Sequence, residues 1–392
     1  MGIFSEHKKE KIIAVFDIGS GSIGASLVKI PQNGRGVPII LKVVRNEIKF
    51  RENFNFSSFM QDMVYTLGLT AMAIYNEKAG APEEIVCVLA SPWYLSETRS
   101  VKMSREKTFT FTKRLASDLI QKEITSLTAL YKEKYGQTDS APQMIEQHTM
   151  AVLLNGYPVA DPMGKKCQFL EINMVLSLSP KVCLDRIRET LSKTYQHIDV
   201  SFASFTVSSY LAVRDKYLAL DSYLLIDISG EITDVGIVTK GVLKSVLSFP
   251  FGKKTFFKYI CTKLDIELRD AKELFKLFSE DKISADYRKK ITPLFASIEN
   301  SWGEAFSQCI STLPRTLILP NTIFLTADND IKSWFADVLR NEEHIQSSAA
   351  DRKCNVVTLD GPDFINMCNV KEGTCDPFLM IEAIAFMRKT TK

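Results

Sequence analysis

Ile12-Ile13-Ala14-Val15-Phe16-Asp17-Ile18-Gly19-Ser20-Gly21-Ser22 and Tyr223-Leu224-Leu225-Ile226-Asp227-Ile228-Ser229-Gly230-Glu231-Ile232-Thr233-Asp234 share one build, and together they decide the fold. Each is an apolar, β-prone run ending in an aspartate, then a turn of small residues, then a second β-prone run. The returns are Ile23-Gly24-Ala25-Ser26-Leu27-Val28 and Val235-Gly236-Ile237-Val238. Both read as β-hairpins with Gly- and Ser-rich turns. Small residues let backbone N–H groups approach an anion closely, and a nest of such groups binds phosphate. An aspartate at the strand end can hold a hydrated Mg²⁺, which keeps several of its waters. One such hairpin has an ordinary reading as a turn. Two, one in each half of the chain, predict a clamp closing on a nucleoside triphosphate from both sides.

The segments outside the hairpins extend the pattern. Strand-like residues 37–50 follow a turn at Gln32-Asn33-Gly34-Arg35-Gly36. Phe59, Met63, Leu67, Ala71 and Ile74 recur at helical spacing, and Ile85-Val86-Cys87-Val88-Leu89 reads as a buried strand ended by Ser91-Pro92. Lys107–Phe111 is β-like, and 112–135 is helical with Leu115, Leu119, Ile120 and Ile124 on one face. Two strands flank Asn155-Gly156-Tyr157-Pro158-Val159-Ala160-Asp161-Pro162-Met163-Gly164-Lys165, and 181–196 looks helical. Residues 201–220 read as a helix joining the two halves. Residues 254–315 are largely helical and Lys-rich. Strands at 322–326 and 355–359 with helices at 331–339 and 378–388 complete the chain.

The paired motifs resemble the actin-like ATPase superfamily, whose second phosphate motif is usually D-x-G-G-G-T-T-D. The resemblance implies an α/β fold of duplicated, actin-like ribonuclease-H-like domains, with a small α+β subdomain inserted in the first half. The expected units are 1–94 as the first half's core, 95–183 as the insert, 184–221 as a return to the first half, 222–252 as the second half's core, 253–317 as its outer subdomain and 318–392 as the remainder of its core. The insert, with its N-G-x-x-x-x-D-P-x-G turn carried by Gly156, Pro162 and Gly164, resembles the cell-division protein family FtsA. The pilus-assembly family PilM has a similar insert.

Length and composition set bounds. A chain of 392 residues suggests two or more domains, and 45% hydrophobic with 24% charged residues is ordinary for a globular protein. A net charge of +3, without an arginine-rich tract, argues against a nucleic-acid binder. No apolar run reaches transmembrane length. Glu6 and Glu10 interrupt any signal-peptide core, and Glu6 stands where a myristoylation motif after Gly2 needs Ser or Thr. The eight cysteines form no C-x-x-C and have no histidine at zinc spacing, so they read as buried hydrophobes in a reducing cytoplasm.

By resemblance, ATP and Mg²⁺ are the expected cofactors. Asp17 and Asp227 would hold the Mg²⁺ through water. Gly19, Ser20, Gly21 and Ser22 would hold phosphate from one side, and Ser229, Gly230, Glu231 and Thr233 from the other. Glu273 and Lys276 keep the i,i+3 spacing of the family's ribose- and base-approaching pair, one residue out of register; a local Glu–Lys pair on a solvated helix face reads equally well. Thr326 belongs to the adenosine motif, usually L-T-G-G-G and here Leu325-Thr326-Ala327-Asp328-Asn329. Other departures are Gly24 where a lysine often returns toward the phosphates, Ser229 and Glu231 where glycines are usual, and Lys253 for the second glycine of P-x-G-G. Lost glycines matter because close backbone approach to a ligand needs them. Ser208 and Ser209 stand where the superfamily places its water-orienting residue, and orienting the attacking water is a large part of hydrolysis. The expectation is nucleotide binding with at most weak ATPase activity.

Two scaffold readings follow. An FtsA-like protein would form filaments and recruit the acidic tail of the tubulin-like FtsZ, for which Lys253, Lys254, Lys258 and Lys263 offer positive charge. FtsA-like chains typically end in an amphipathic membrane helix, whereas Phe386-Met387-Arg388-Lys389 reads as part of the fold. The alternative is a PilM-like cytoplasmic assembly protein of a type IV pilus or secretion system, drawn to the inner face of the membrane by the tail of an inner-membrane protein. A sugar or acetate kinase would need an acceptor site and a general base, and no carboxylate cluster offers one. A DnaK-type chaperone would need a separate peptide-binding domain.

Overall fold

The computed structural model describes residues 10–31, 36–51, 55–135, 141–314, 317–341, 354–373 and 375–390. The turn expected at 32–36 falls largely outside them. The first half opens with β1 (Glu10–Ile18), β2 (Ser22–Pro31), β3 (Ile39–Glu47), α1 (Phe56–Asn76) and β4 (Glu84–Leu89). β1 pairs antiparallel with β2 and parallel with β4, so it is covered on both edges, and Ile13–Ile18 are all buried. α1 begins where the Asn55 side chain accepts from Ser58 N at 3.1 Å, satisfying one free donor of the first turn. Its apolar positions Phe59, Met63, Leu67, Ala71 and Ile74 face the sheet.

Between β4 and α3 (Lys181–Ser192) the chain makes β5 (Leu95–Thr110), α2 (Lys113–Tyr135), β6 (Pro142–Leu154), β7 (Tyr157–Pro158) and β8 (Lys166–Pro180). These four strands form their own antiparallel sheet in the order β5-β8-β6-β7, with α2 against it and a separate core including Phe111, Leu119, Leu127 and Ile172. This is the inserted α+β subdomain.

The stretch expected as a single helix over 201–220 is divided. Val200–Ser204 form β9, parallel to β4, with Phe202 opposite Cys87; the helix α4 runs only from Phe205 to Lys216. Pairing along the free edge of β4 outweighs local helix preference over these five residues. Glu146 marks the junction, its Oε2 accepting from both Ser204 N (3.0 Å) and Ser204 Oγ (2.6 Å).

The second half repeats the order. β10 (Tyr223–Ile228), β11 (Thr233–Thr239), β12 (Val242–Phe249), β13 (Thr322–Ala327) and β14 (Asn355–Thr358) give the sheet β12-β11-β10-β13-β14, matching β3-β2-β1-β4-β9 strand for strand. Helices α5 (Lys253–Leu264), α6 (Leu268–Ser279), α7 (Ala285–Ser311) and α8 (Asn329–Asn341) enclose an aromatic core around Phe256, Phe275, Phe295, Trp302, Phe306 and Phe335.

Residues 318–392, expected within the second half, divide between the two. β13, α8 and β14 build the second sheet, but β15 (Asn369–Val370) joins the outer edge of the first sheet beside β3, and α9 (Pro377–Thr390) lies against α4, β1 and β2. α4 and α9 together fill the space between the sheets, and every residue of α4 from Phe205 to Val213 is buried. Of its buried polar side chains, Thr206 Oγ1 bonds with Tyr94 Oη at 2.7 Å and Ser208 Oγ donates to Ser204 O at 3.0 Å, while Arg214, Asp215 and Lys216 at its end are partly exposed.

Candidate functional site: the cleft between the two hairpins

The turns after β1 and β10 face each other across the cleft, as their matching strand positions require. They are in contact. A Cβ built on Gly230 would stand 2.3 Å from Gly21 N and 2.5 Å from Gly21 Cα. Ser20 Oγ lies 2.9 Å from Ser229 Oγ and accepts from Glu231 N at 2.9 Å. The space left between the turns is a cavity of about 30 Å³, room for one or two waters, bordered by Asp17, Arg45, Asp227 and Asp328.

The remaining expected phosphate ligands also bond within the chain. Gly19 N donates to Ser22 O at 3.1 Å, and Gly19 O accepts from the Trp93 indole at 2.9 Å. Ser229 N donates to Ile232 O at 3.0 Å. Gly230 O accepts from Lys254 N at 2.7 Å. Thr233 Oγ1 turns away from the cleft and donates to Phe251 O. Thr326 Oγ1 donates to Asp227 Oδ1 at 2.7 Å. Glu231 lies 3.5 Å from Lys254 Nζ.

Asp17 has a resident cation. Arg45, on β3, places Nη1 2.8 Å from Asp17 Oδ2 and donates from the same atom to Ser22 Oγ at 2.8 Å. The rest of its fork grips Asp376, with Nε to Oδ2 at 2.7 Å and Nη2 to Oδ1 at 3.1 Å. Two parallel bonds of this kind fix a guanidinium in position as well as in charge. Gly24 sits opposite Arg45 in the strand register, and a Cβ there would come within 2.6 Å of Nη2. Burial pushes the Asp17 carboxyl up to about 6; Arg45 opposes the rise and Asp376 adds to it. Burial disfavours the Arg45 charge too, but Asp376 and Asp17 outweigh it and its pKa rises further. Asp227 has no such partner among the described residues, and burial drives its carboxyl well above the usual range against the pull of Thr326. Asp234, bonded by Ser91 Oγ at 2.7 Å, is raised to about 6, again chiefly by burial.

Lys253 crosses the cleft floor. Its Nζ is 2.8 Å from Asp328 Oδ2 and 2.8 Å from Asp330 Oδ2, and 3.9 Å from Glu47 Oε1 of the first half. Lys272 reaches the same Glu47 at 3.0 Å. Lys254 Nζ lies over the Phe59 ring, 5.0 Å from its centre. Beside Gly21 a concavity of about 250 Å³ lies between the halves, lined by Glu47, Lys253, Lys254 and Lys272. A separate recess of about 830 Å³ on the second half is lined by Glu273 and Lys276 of α6 and Asn329 and Asp330 of α8. The structure thus gathers the phosphate-turn residues at one closed point and leaves Glu273 and Lys276 apart in an open recess. The residues present do not fit a triphosphate with Mg²⁺ in this arrangement. The space directly between the turns is too small, an arginine neutralises Asp17, and the turn donors Gly19 N, Ser229 N and Glu231 N bond within the chain.

Sequence reasoning missed Arg45, Asp376, Glu47 and Lys272. The one signal was Gly24, whose missing side chain makes room for a neighbouring strand's long one.

A second concavity of about 450 Å³ lies where the insert meets the first half. It is walled by Ile145–His148 of β6, Ser201–Ala203 of β9, and Glu382, Phe386 and Lys389 of α9. Glu146 binds Lys389 through Oε1 while capping α4 through Oε2. Glu382 is 1% exposed, with its carboxyl beside that of Asp17. Burial drives its carboxyl well up, reinforced by the nearby Asp17.

No protein-family model and no curated protein matches the chain. Among solved structures it is similar to that of the PilM–PilN type IV pilus biogenesis complex, with 11% identity over 98% of this chain and 99% of that one and a TM-score of 0.65. The ethanolamine utilization protein EutJ from Carboxydothermus hydrogenoformans gives 11% identity over 97% and 90% of the two chains, with a TM-score of 0.43. A Bacteroides thetaiotaomicron protein with an actin-like ATPase fold gives 10% over 94% and 97%, with a TM-score of 0.35. The fold is that of the actin-like ATPases, duplicated and carrying an insert in the first half. Among the described residues no helix is long and apolar enough to cross a membrane.

Proposed function

We propose that the chain is a PilM-like scaffold that receives the cytoplasmic tail of a membrane-anchored assembly protein and works at the inner face of the membrane through that partner. The similarity to PilM over nearly the whole of both chains, insert included, carries this reading. The groove between insert and first half supports it. β9 is the last strand of its sheet, and along most of its length β6 has no strand on its second side beyond the two-residue β7, so an extended segment can pair with exposed backbone there. Glu84 and Glu146 are paired with Lys11 and Lys389, and Phe386 gives the groove an apolar wall, so backbone pairing and apolar contact would hold a tail there.

The FtsA-like reading, preferred from the sequence, gains no such support. Two of the four lysines offered to an acidic FtsZ tail, Lys253 and Lys254, have side chains 11% exposed and are turned onto Asp328, Asp330 and Glu231. Filament formation and FtsZ recruitment have no other observation behind them.

The test is fluorescence anisotropy with labelled peptides. These are the cytoplasmic segments of single-span membrane proteins encoded beside this chain, and an acidic FtsZ-type tail. Binding of one membrane-protein segment, weakened by Phe386→Ala in the groove wall, supports the reading. Binding of the acidic tail alone overturns it.

A further inference from the structure

The departures of this chain from the actin-like motifs are joined to one another in space. Gly24 makes room for Arg45. Ser229 meets Ser20 at 2.9 Å. Glu231 meets Lys254 at 3.5 Å, and Lys253 meets Asp328 at 2.8 Å. Lys253 and Asp328 each stand where the family motif has glycine, and the two side chains fill that space together. A motif decaying at random would leave unpaired charges and voids at these positions. Here Gly24, Ser229, Glu231, Lys253 and Asp328 each find a partner of complementary chemistry.

We infer that the meeting point of the two turns is a permanently shut joint in which Arg45 stands in for the divalent cation and the turns grip each other in place of a phosphate. Arg45 neutralises Asp17 and, through Asp376, ties down the start of α9, because Asp376 Oδ1 also accepts from Phe378 N (3.0 Å) and Leu379 N (3.2 Å). Its guanidinium lies over the Phe378 ring, 5.1 Å from the centre. A planar, always-charged fork makes these bonds in one geometry, which a hydrated ion does not. The halves are then held by Ser20–Ser229, Ser91–Asp234 and Glu47–Lys272, each joining a first-half residue to a second-half one. A ligand shifts a conformational equilibrium only by binding one state better than the other. With the phosphate position filled by protein, nucleotide has no state to select, so the scaffold holds one shape whatever the nucleotide pool.

The test uses the intact protein and two variants. Thermal unfolding and small-angle X-ray scattering are recorded with Mg·ATP, with Mg·ADP and with EDTA. The inference expects superimposable curves, and a rise in Tm or a change in radius of gyration with Mg·ATP overturns it. Mn²⁺ binding is then followed by electron paramagnetic resonance. Arg45→Ala, leaving Asp17 and Asp376 without their cation, is expected to bind Mn²⁺ and to gain Tm from Mg²⁺, while the intact protein and Arg45→Lys do neither. A folded Arg45→Ala indifferent to both ions, or an intact protein that binds Mn²⁺ as well as the variant, overturns the role given to Arg45. If Arg45→Ala does not fold, the intact protein and Arg45→Lys decide through the nucleotide and Mn²⁺ arms.

Discussion

Gly21 and Gly230 lie backbone to backbone across the cleft, so close that a single methyl on Gly230 would stand 2.3 Å from Gly21 N. The atom in the way belongs to the main chain of a turn that is itself bonded to Ile48 N through Gly21 O at 2.8 Å. Neither side can yield cheaply. Gly230→Ala is expected to cost at least roughly the 1–3 kcal/mol of an overpacked core and to part the two halves. Urea denaturation gives the first quantity and the radius of gyration the second. A variant as stable and as compact as the parent would show that the turns do not bear on each other.

Lys253 and Asp328 should behave as one unit. Removing Lys253 leaves Asp328 and Asp330 without the cation between them, and removing Asp328 leaves the 11%-exposed Lys253 with Asp330 alone at close range, whereas removing both restores the small residues of the ordinary motif. The double variant Lys253→Gly, Asp328→Gly is therefore expected to be less destabilised than the sum of the single ones. A coupling of about 0.5–3 kcal/mol is typical of contacting residues. Additive effects in denaturant melts would dissolve the pair.

Asp234 gives a pH signature. Its carboxyl ordinarily titrates at 3.8 and in the folded chain at about 6, so the folded state holds the proton more tightly. The penalty for ionising it is absent below the lower value and complete above the upper one. Stability from this group therefore falls as pH rises between them. Asp234→Asn removes the charge while an amide oxygen can still accept from Ser91. The variant is expected to be more stable than the parent near pH 7, on the order of 1–3 kcal/mol, and equal to it near pH 4. A gain of the same size at both pH values would assign it to something other than ionisation.

Glu146 joins three elements, since it caps α4 at Ser204 and holds Lys389 of α9 from its place on β6. Glu146→Ala leaves the Ser204 donors without their acceptor, a loss of about 1–3 kcal/mol for buried groups. It should also speed hydrogen exchange along β6 and β9 while leaving β10 and β11 unchanged. Uniform exchange across both halves would mean that the insert is held elsewhere.

The duplicated architecture was legible because it rests on short-range signals. Two apolar runs ending in Asp17 and Asp227 set the central strands, and Phe59, Met63 and Leu67 set the helix over the first. Val200–Ser204 misled because a strand on the edge of β4 is specified by its neighbour, not by its own five residues. The return of the last helix to the first sheet was hidden for the same reason, since nothing local in Asn369-Val370 points to Ile39-Ile40. At the cleft the individual departures could be read one at a time. Their pairing could not, because Lys253 and Asp328 are 75 positions apart and Arg45 and Asp376 are 331 apart. A lone Gly24 or Glu231 looks like damage until the partner's position is known.

Asn369 lies beside Ile39 in one sheet although 330 positions separate them, and the helix that follows covers the same sheet. A nascent chain therefore carries an uncovered first half on the ribosome until α9 has emerged. Contacts between residues so distant in sequence form slowly, because the long intervening loop must close first. Completion of the first half thus waits on residues made after the second, and a chain cut short within the second half leaves β3 as an open sheet edge. An open edge of this kind invites pairing with other chains, so the yield of folded protein depends on how quickly synthesis runs from β3 to α9.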